Sequence, residues 1–335
     1  MREPAIVIVG SDSLLGRELR ELLGEGPLSS RLRLVGEEST EAILSGSGDE
    51  AVVLAPLEEE NLSGASLLFL AGHAASSRRS YGIAQKLEPP PEVVDLSFAL
   101  EDHPQARLRS PLSERKPFPP SPGTVHVVAH PAAAALALFL RRIHEAYPVR
   151  RSVIEIFEPA SERGRKGIEE LQKQTVNLLS FQKLPQEVFD AQLGFNLLPR
   201  YGAEAKEPLS EFEMRIERHL ASLLADTVSA PMPSLRLVQA PVFHGYSVSA
   251  WVEFDAPVDP ESAASALAGN PIEIRKADEE PPSNVGASGQ SGITVSVDPD
   301  RNNPRALWFW LVADNLRLMA DNAVLVAAGL LEGRK

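Results

Sequence analysis

The stretch AIVIVGSDSLLGRELRELLGEG, residues 5–26, runs an apolar strand through a glycine turn into an amphipathic helix. A continuous β-branched run of this length belongs in a strand buried on both faces, which is the habit of parallel sheets. LRLVGEE supplies the next strand and completes a strand–helix–strand unit. Apolar runs recur at AVVLAP (51–56), LLFLAG (67–72), VVDLSF (93–98) and VHVVAH (125–130), so the first part of the chain reads as a doubly wound parallel sheet. The link from Glu101 to Thr124, rich in Pro, Arg and Ser, reads as a long surface loop.

The texture then changes. SVIEIFEP reads as a strand, RGRKGIEELQKQTVNLLSF and SEFEMRIERHLASLLAD as helices, and alternating strands follow within 235–255, 293–299 and 306–314, which predicts a mixed or antiparallel sheet. EEPPSNVGASGQSG (279–292) reads as a mobile loop. A chain of 335 residues accommodates two domains. The fold class is therefore α/β, a Rossmann-type doubly wound parallel sheet over 1–131 plus the C-terminal helix 315–335, with a second α+β domain over 132–314.

Charge and composition exclude several functions. A formal charge of −13 opposes a phosphate backbone or an anionic membrane, and no basic stripe interrupts it. The longest apolar run, near Ala132–Leu140, falls short of the roughly 20 residues that span a bilayer, and MREPAIVIVG runs straight into a strand, so a cytoplasmic protein is expected. There is no cysteine, which removes disulfides, thiolate metal sites and thiol catalysis. Seven histidines without close pairing in sequence predict no metal site. The cations Arg163, Arg165 and Lys166 open a helix against its dipole and read as a solvated face, with an anion or a partner's acidic surface as the alternative.

Two turns hold candidate ligand residues. In GSDSLLG, Gly10, Ser13 and Gly16 take the spacing G-x-x-G-x-x-G with serine in the middle place, and with Leu14 and Leu15 they offer backbone N–H groups for a pyrophosphate. Gly72, closing LLFLAG, is the further backbone candidate. The same turn also serves as a tight strand-to-helix corner that binds nothing. Glu37 and Glu38, ending the second strand, suit a ribose hydroxyl and repel a 2′-phosphate, so NAD is expected before NADP, and no cofactor is fixed. The second turn is VHVVAHPAAAALALFL, where a strand ends and Pro131 opens a helix. A nucleophile at this corner would profit from the helix N-terminus, but Ala132 to Ala135 stand there.

Over its full length the chain resembles the aspartate-semialdehyde dehydrogenase family. GSDSLLG is similar to the family's opening turn, VVDLSFAL to its aspartate-serine segment and VVAHPAA to its A-N-P-N-C. IFEPASERGRKG resembles T-Y-Q-A-V-S-G-A-G-K-x-G, followed by FNLLP, and APVFHGYS resembles V-P-V-x-x-G-H-S. The closing DNLRLMADNAV resembles D-N-L-R-K-G-A-A-x-N-A-V. The resemblance implies a cysteine thiolate that attacks an aldehyde, NADP that takes the hydride, phosphate that releases the acyl group, and a histidine acid/base. It places the cysteine on Ala133, the glutamine on Glu158, the carboxylate-binding arginine on Gln239 and the histidine on Tyr246. The anion-binding arginine falls on Glu101, and two lysines fall on Glu213 and Leu318. The expectation is a catalytically inactive relative, a pseudoenzyme linked to amino-acid metabolism that acts as a homodimer and as a binding or regulatory partner, an active paralogue being one candidate partner. The alternative is an NAD-dependent oxidoreductase working without a thiol on another small substrate, should His130, Glu158, His244 and Tyr246 converge.

Overall fold

The computed structural model describes residues 5–24, 29–37, 43–47, 50–114, 123–225 and 230–332. The chain divides into two compact units, Met1–Ala129 with Met319–Lys335, and His130–Leu318. The sequence places that division at 131/132 and 314/315.

In the first unit β1 (Ala5–Val9) leads into α1 (Leu14–Gly24) and β2 (Leu32–Val35). A hairpin of β3 (Ile43–Ser47) and β4 (Glu50–Leu54) and the short α2 (Glu59–Leu62) precede β5 (Ala65–Leu70) and α3 (Ala74–Ala84). Then come β6 (Glu92–Asp95), β7 (Ala106–Arg109) and β8 (Val125–Val128). The six-stranded sheet has the order β2-β1-β5-β6-β8-β7, and every pairing in it is parallel. Alternate residues of one strand fill two cores: Ile6 and Ile8 pack with Leu67 and Phe69, whereas Val7 and Val9 pack with Leu68 and Leu70. This is why the strands read as unbroken apolar runs.

Two expectations are corrected in this unit. AVVLAP belongs to β4, which pairs antiparallel with β3 in a sheet of two strands outside the main one. The link 101–124 is not all loop, because β7 lies inside it at the sheet edge, paired with β8. Its sequence, ARLR, is short and charged, as edge strands often are, and carries no apolar run to betray it.

The second unit opens with α4 (Pro131–Ala146) and β9 (Val149–Glu158), followed by α5 (Gly164–Leu179) and α6 (Leu209–Ala225). Next are β10 (Ser234–Gln239), β11 (Tyr246–Phe254), α7 (Pro260–Leu267) and β12 (Ile272–Ile274). The short α8 (Asn284–Ala287), β13 (Ile293–Pro299), β14 (Ala306–Ala313) and the first residues of α9 (Asn315–Glu332) complete it. The sheet is mixed, in the order β10-β9-β11-β14-β13-β12, as the alternating strands predict. Ile154, Ala250 and Phe309 on the inner face are buried, and Phe139 of α4 meets Phe309 edge-on at 5.0 Å. On the opposite face Val153, Trp251 and Trp308 form one row across three strands, and Val153 and Trp308 are 47% and 45% exposed. The segment 279–292 is not an open loop: Ser283 caps α8, and Asn284 bonds the backbone at Gly245 and the Ser247 hydroxyl.

Candidate functional site

Strand register builds the site. Glu158 and Gln239 are the last residues of β9 and β10 and face each other across that parallel pair. Tyr246 opens the neighbouring β11, beside Ser247, which pairs with Phe157. All three side chains therefore gather at one end of the second sheet, and all three residues are buried.

Their bonds are internal. The Tyr201 hydroxyl donates to Gln239 Oε1 at 2.6 Å, and Gln239 Nε2 donates to the Glu158 carbonyl at 2.8 Å. After β9 the chain passes through Pro159 and a single 3₁₀ turn, Ala160–Arg163. That turn swings Arg163 back so that its Nη2 donates to Glu158 Oε2 at 2.6 Å and its Nε to the Tyr201 hydroxyl at 3.0 Å. The guanidinium also stacks on Phe212 of α6, 3.1 Å from the ring centre. Glu162 accepts from Asn315 Nδ2 at 2.7 Å and lies 3.7 Å from His130 Nε2. The His130 ring stands 6.0 Å from that of Tyr246, and its backbone N–H donates to His219 Nδ1 at 3.0 Å.

Burial governs the protonation states. It pushes the Glu158 carboxyl up to about 7, against the opposing pull of Arg163, and raises Glu162 in the same way. Burial, followed by the charges of His219, Arg215 and Arg163, holds His130 well below the usual imidazole range. Tyr246 is raised well above the usual phenol range by burial and the two carboxylates, and Tyr201 by burial and Glu158.

Ala133 lies in the first turn of α4, wholly buried, with no side chain that could react. His130, Glu158 and Tyr246 do come together, whereas His244 bonds Asn284 through its carbonyl. Glu213 accepts from Leu237 N at 2.7 Å and so ties α6 to β10. The reading of Arg163 as part of a solvated face is overturned: its side chain is 7% exposed, while Arg165 and Lys166 do face solvent. His130 and His219, far apart in sequence, meet through the His130 backbone N–H. The donor atoms of His130, Glu158 and Glu162 lie within 4.8 Å of one another, but a guanidinium already sits on one of those carboxylates and would oppose an added cation.

The glycine turn of the first unit has its own geometry. Gly10 has φ +76° and packs so closely on Gly72 that a Cβ would come within 2.3 Å of the Gly72 backbone. Ser13 Oγ donates to the Ala71 carbonyl and accepts from Gly16 N, each at 2.8 Å, so it caps α1, whose first residues are Leu14 and Leu15. Glu37 Oε1 accepts from His73 N at 3.0 Å, beside Gly72. Glu38 lies outside the described residues. A dinucleotide phosphate fits these residues poorly, because a side chain occupies the middle glycine place, a helix N–H is already bonded, and Asp12 and Glu37 add carboxylates.

Together these features define a class: a Rossmann-like unit with a self-capped glycine turn, and a mixed-sheet unit with a buried charged cluster at one end. Residues 140–318 match the family model of the semialdehyde dehydrogenase dimerisation domain. The chain belongs to the semialdehyde dehydrogenase family. An aspartate-semialdehyde dehydrogenase of Rickettsia bellii is 26% identical, covering 98% of this chain and 97% of that protein. A USG-1 protein homolog of Pseudomonas aeruginosa is 29% identical at the same two coverages. The solved structure of a probable aspartate-semialdehyde dehydrogenase from Pseudomonas aeruginosa superposes with a TM-score of 0.80 at 28% identity, covering 98% of this chain and 99% of that one. A Vibrio cholerae aspartate semialdehyde dehydrogenase II complexed with ASA gives 0.82 at 23% identity over 99% of both chains, a likeness of fold. Among the described residues no helix is long and apolar enough to cross a membrane.

Glu162, Tyr201, Arg215, His219 and Asn315 were not singled out by sequence reasoning. A polar pair directly after a strand, Glu162–Arg163, was the available signal. Tyr201 offered none.

Proposed function

We propose that this chain is a catalytically inactive homologue of aspartate-semialdehyde dehydrogenase, a homodimer acting as a binding or regulatory protein linked to amino-acid metabolism. The observation that carries the reading is the complete absence of cysteine, joined to a helix corner of buried alanines around Ala133. Acyl transfer through a covalent intermediate needs a nucleophile, and alanine has none. The surroundings support the same conclusion. IFEPASERGRKG and the family motif T-Y-Q-A-V-S-G-A-G-K-x-G match place for place, so the motif's small residues after serine fall on Glu162 and Arg163, and these fill the space around Glu158 with an ion pair.

The thiol-free oxidoreductase is the second reading, favoured by the convergence of His130, Glu158 and Tyr246. Their exposures of 1%, 0% and 2% speak against it, since an acid/base group must reach its substrate. The test is the phosphate-dependent oxidation of aspartate semialdehyde, followed by NADPH absorbance. A rate no greater than that of heat-killed protein is expected, and turnover above it would reject the proposal.

A further inference from the structure

The charge balance of the buried cluster is uneven. One guanidinium, Arg163, meets two carboxylates, Glu158 and Glu162, whose side chains are 0% and 13% exposed. The other groups facing them are two histidines, two phenols, two amides and one further arginine. His130, at the start of α4, is neutral. His219 on α6 accepts the His130 backbone N–H at Nδ1. Tyr201 is a hydrogen-bond donor and Tyr246 a neutral phenol; Gln239 and Asn315 are amides. Arg215 of α6 is part-buried and adds a positive field. Moreover, Glu158 Oε1 is buried with no hydrogen-bond donor. An ionised oxygen in that position is costly, and a protonated one much less so.

We propose that the cluster is a proton latch: the Glu158–Glu162 pair keeps one proton while the second unit is folded, and losing it on the alkaline side of neutrality loosens the segments that meet there. Those segments are the ends of β9 and β10, the start of β11, the 3₁₀ turn, and the starts of α4 and α9. The direction follows from linkage. Glu158 is raised from 4.5 to about 7 in the folded chain, so the folded state binds the proton more tightly than the unfolded state. The stabilisation is complete below the unfolded value and is lost as pH rises through the folded one.

Urea unfolding of the whole chain between about pH 5.5 and about pH 8.5, a range spanning the raised carboxyl, tests this. The wild-type midpoint is expected to fall across that range, and Glu158→Gln, which keeps the shape but cannot titrate, to flatten the fall. An equal fall in both would overturn the latch. Should Glu158→Gln not fold, infrared spectra of wild type carrying ¹³C-glutamate give a second readout, free of the buried Asp95 carboxyl, which desolvation also raises. A protonated glutamate band near neutrality that fades at alkaline pH is expected, and its absence near neutrality would overturn the proposal.

Discussion

Arg163 donates to Glu158 at 2.6 Å from within the buried end of the second sheet. Neither charge has bulk water to fall back on. Removing the cation alone leaves the negative charge of the Glu158–Glu162 pair uncompensated, and breaking a buried pair in this way costs roughly 3–5 kcal/mol. Arg163→Ala is therefore expected to lower the urea midpoint strongly, and adding Glu158→Gln to recover part of the loss. Independent, additive effects in the double variant would show that the pair is not coupled.

Restoring the thiol should not restore the chemistry. Ala133→Cys would place sulfur in a fully buried turn, while Glu158 stays held by Arg163 and Gln239 by Tyr201. No turnover of aspartate semialdehyde is expected from this variant. Measurable turnover, or rapid labelling of the new thiol by a thiol-reactive probe, would show that the corner is open.

Calorimetric titration with NADH and NADPH should give weak binding or none. The cap made by Ser13 and the carboxylate of Glu37 stand where a phosphate would approach. If either cofactor binds, NADH is expected to bind more tightly, because a carboxylate repels the 2′-phosphate. A clear preference for NADPH would refute the place given to Glu37.

The row of Val153, Trp251 and Trp308 is an apolar stripe on the sheet face opposite Ile154 and Phe309, of the kind that marks an interface. A two-fold axis would let that stripe cover itself. Light scattering at low micromolar concentration should give twice the chain mass of 36.3 kDa, and Trp308→Glu should halve it. A wild-type mass of one chain would reject the dimer, and an unchanged mass in the variant would move the contact elsewhere.

Much of the fold was written in local pattern. The parallel sheet announced itself because strands buried on both faces are mostly apolar, and the mixed sheet because its strands alternate. What escaped was short or charged: β7 is four residues with two arginines, and nothing in ARLR asks for a sheet. The site divides in the same way. Glu158, Gln239 and Tyr246 were found because segments around them match a known pattern, and β9–β10 register then makes two of them neighbours. Arg163 was misread because a cation between glycine and charge looks like surface. Only the 3₁₀ turn aims it inward, and Phe212, a distant residue, gives it a roof.

The near-contact of Gly10 with Gly72 bears on how such chains are recognised across genomes. Any side chain at Gly10 would collide with backbone, so selection for folding alone keeps that glycine. Selection for a cofactor would have to act on Ser13 and Glu37 instead. In a lineage that has stopped using a dinucleotide, the glycine fingerprint thus decays more slowly than the function it once advertised, and the middle position of the turn is the better clock.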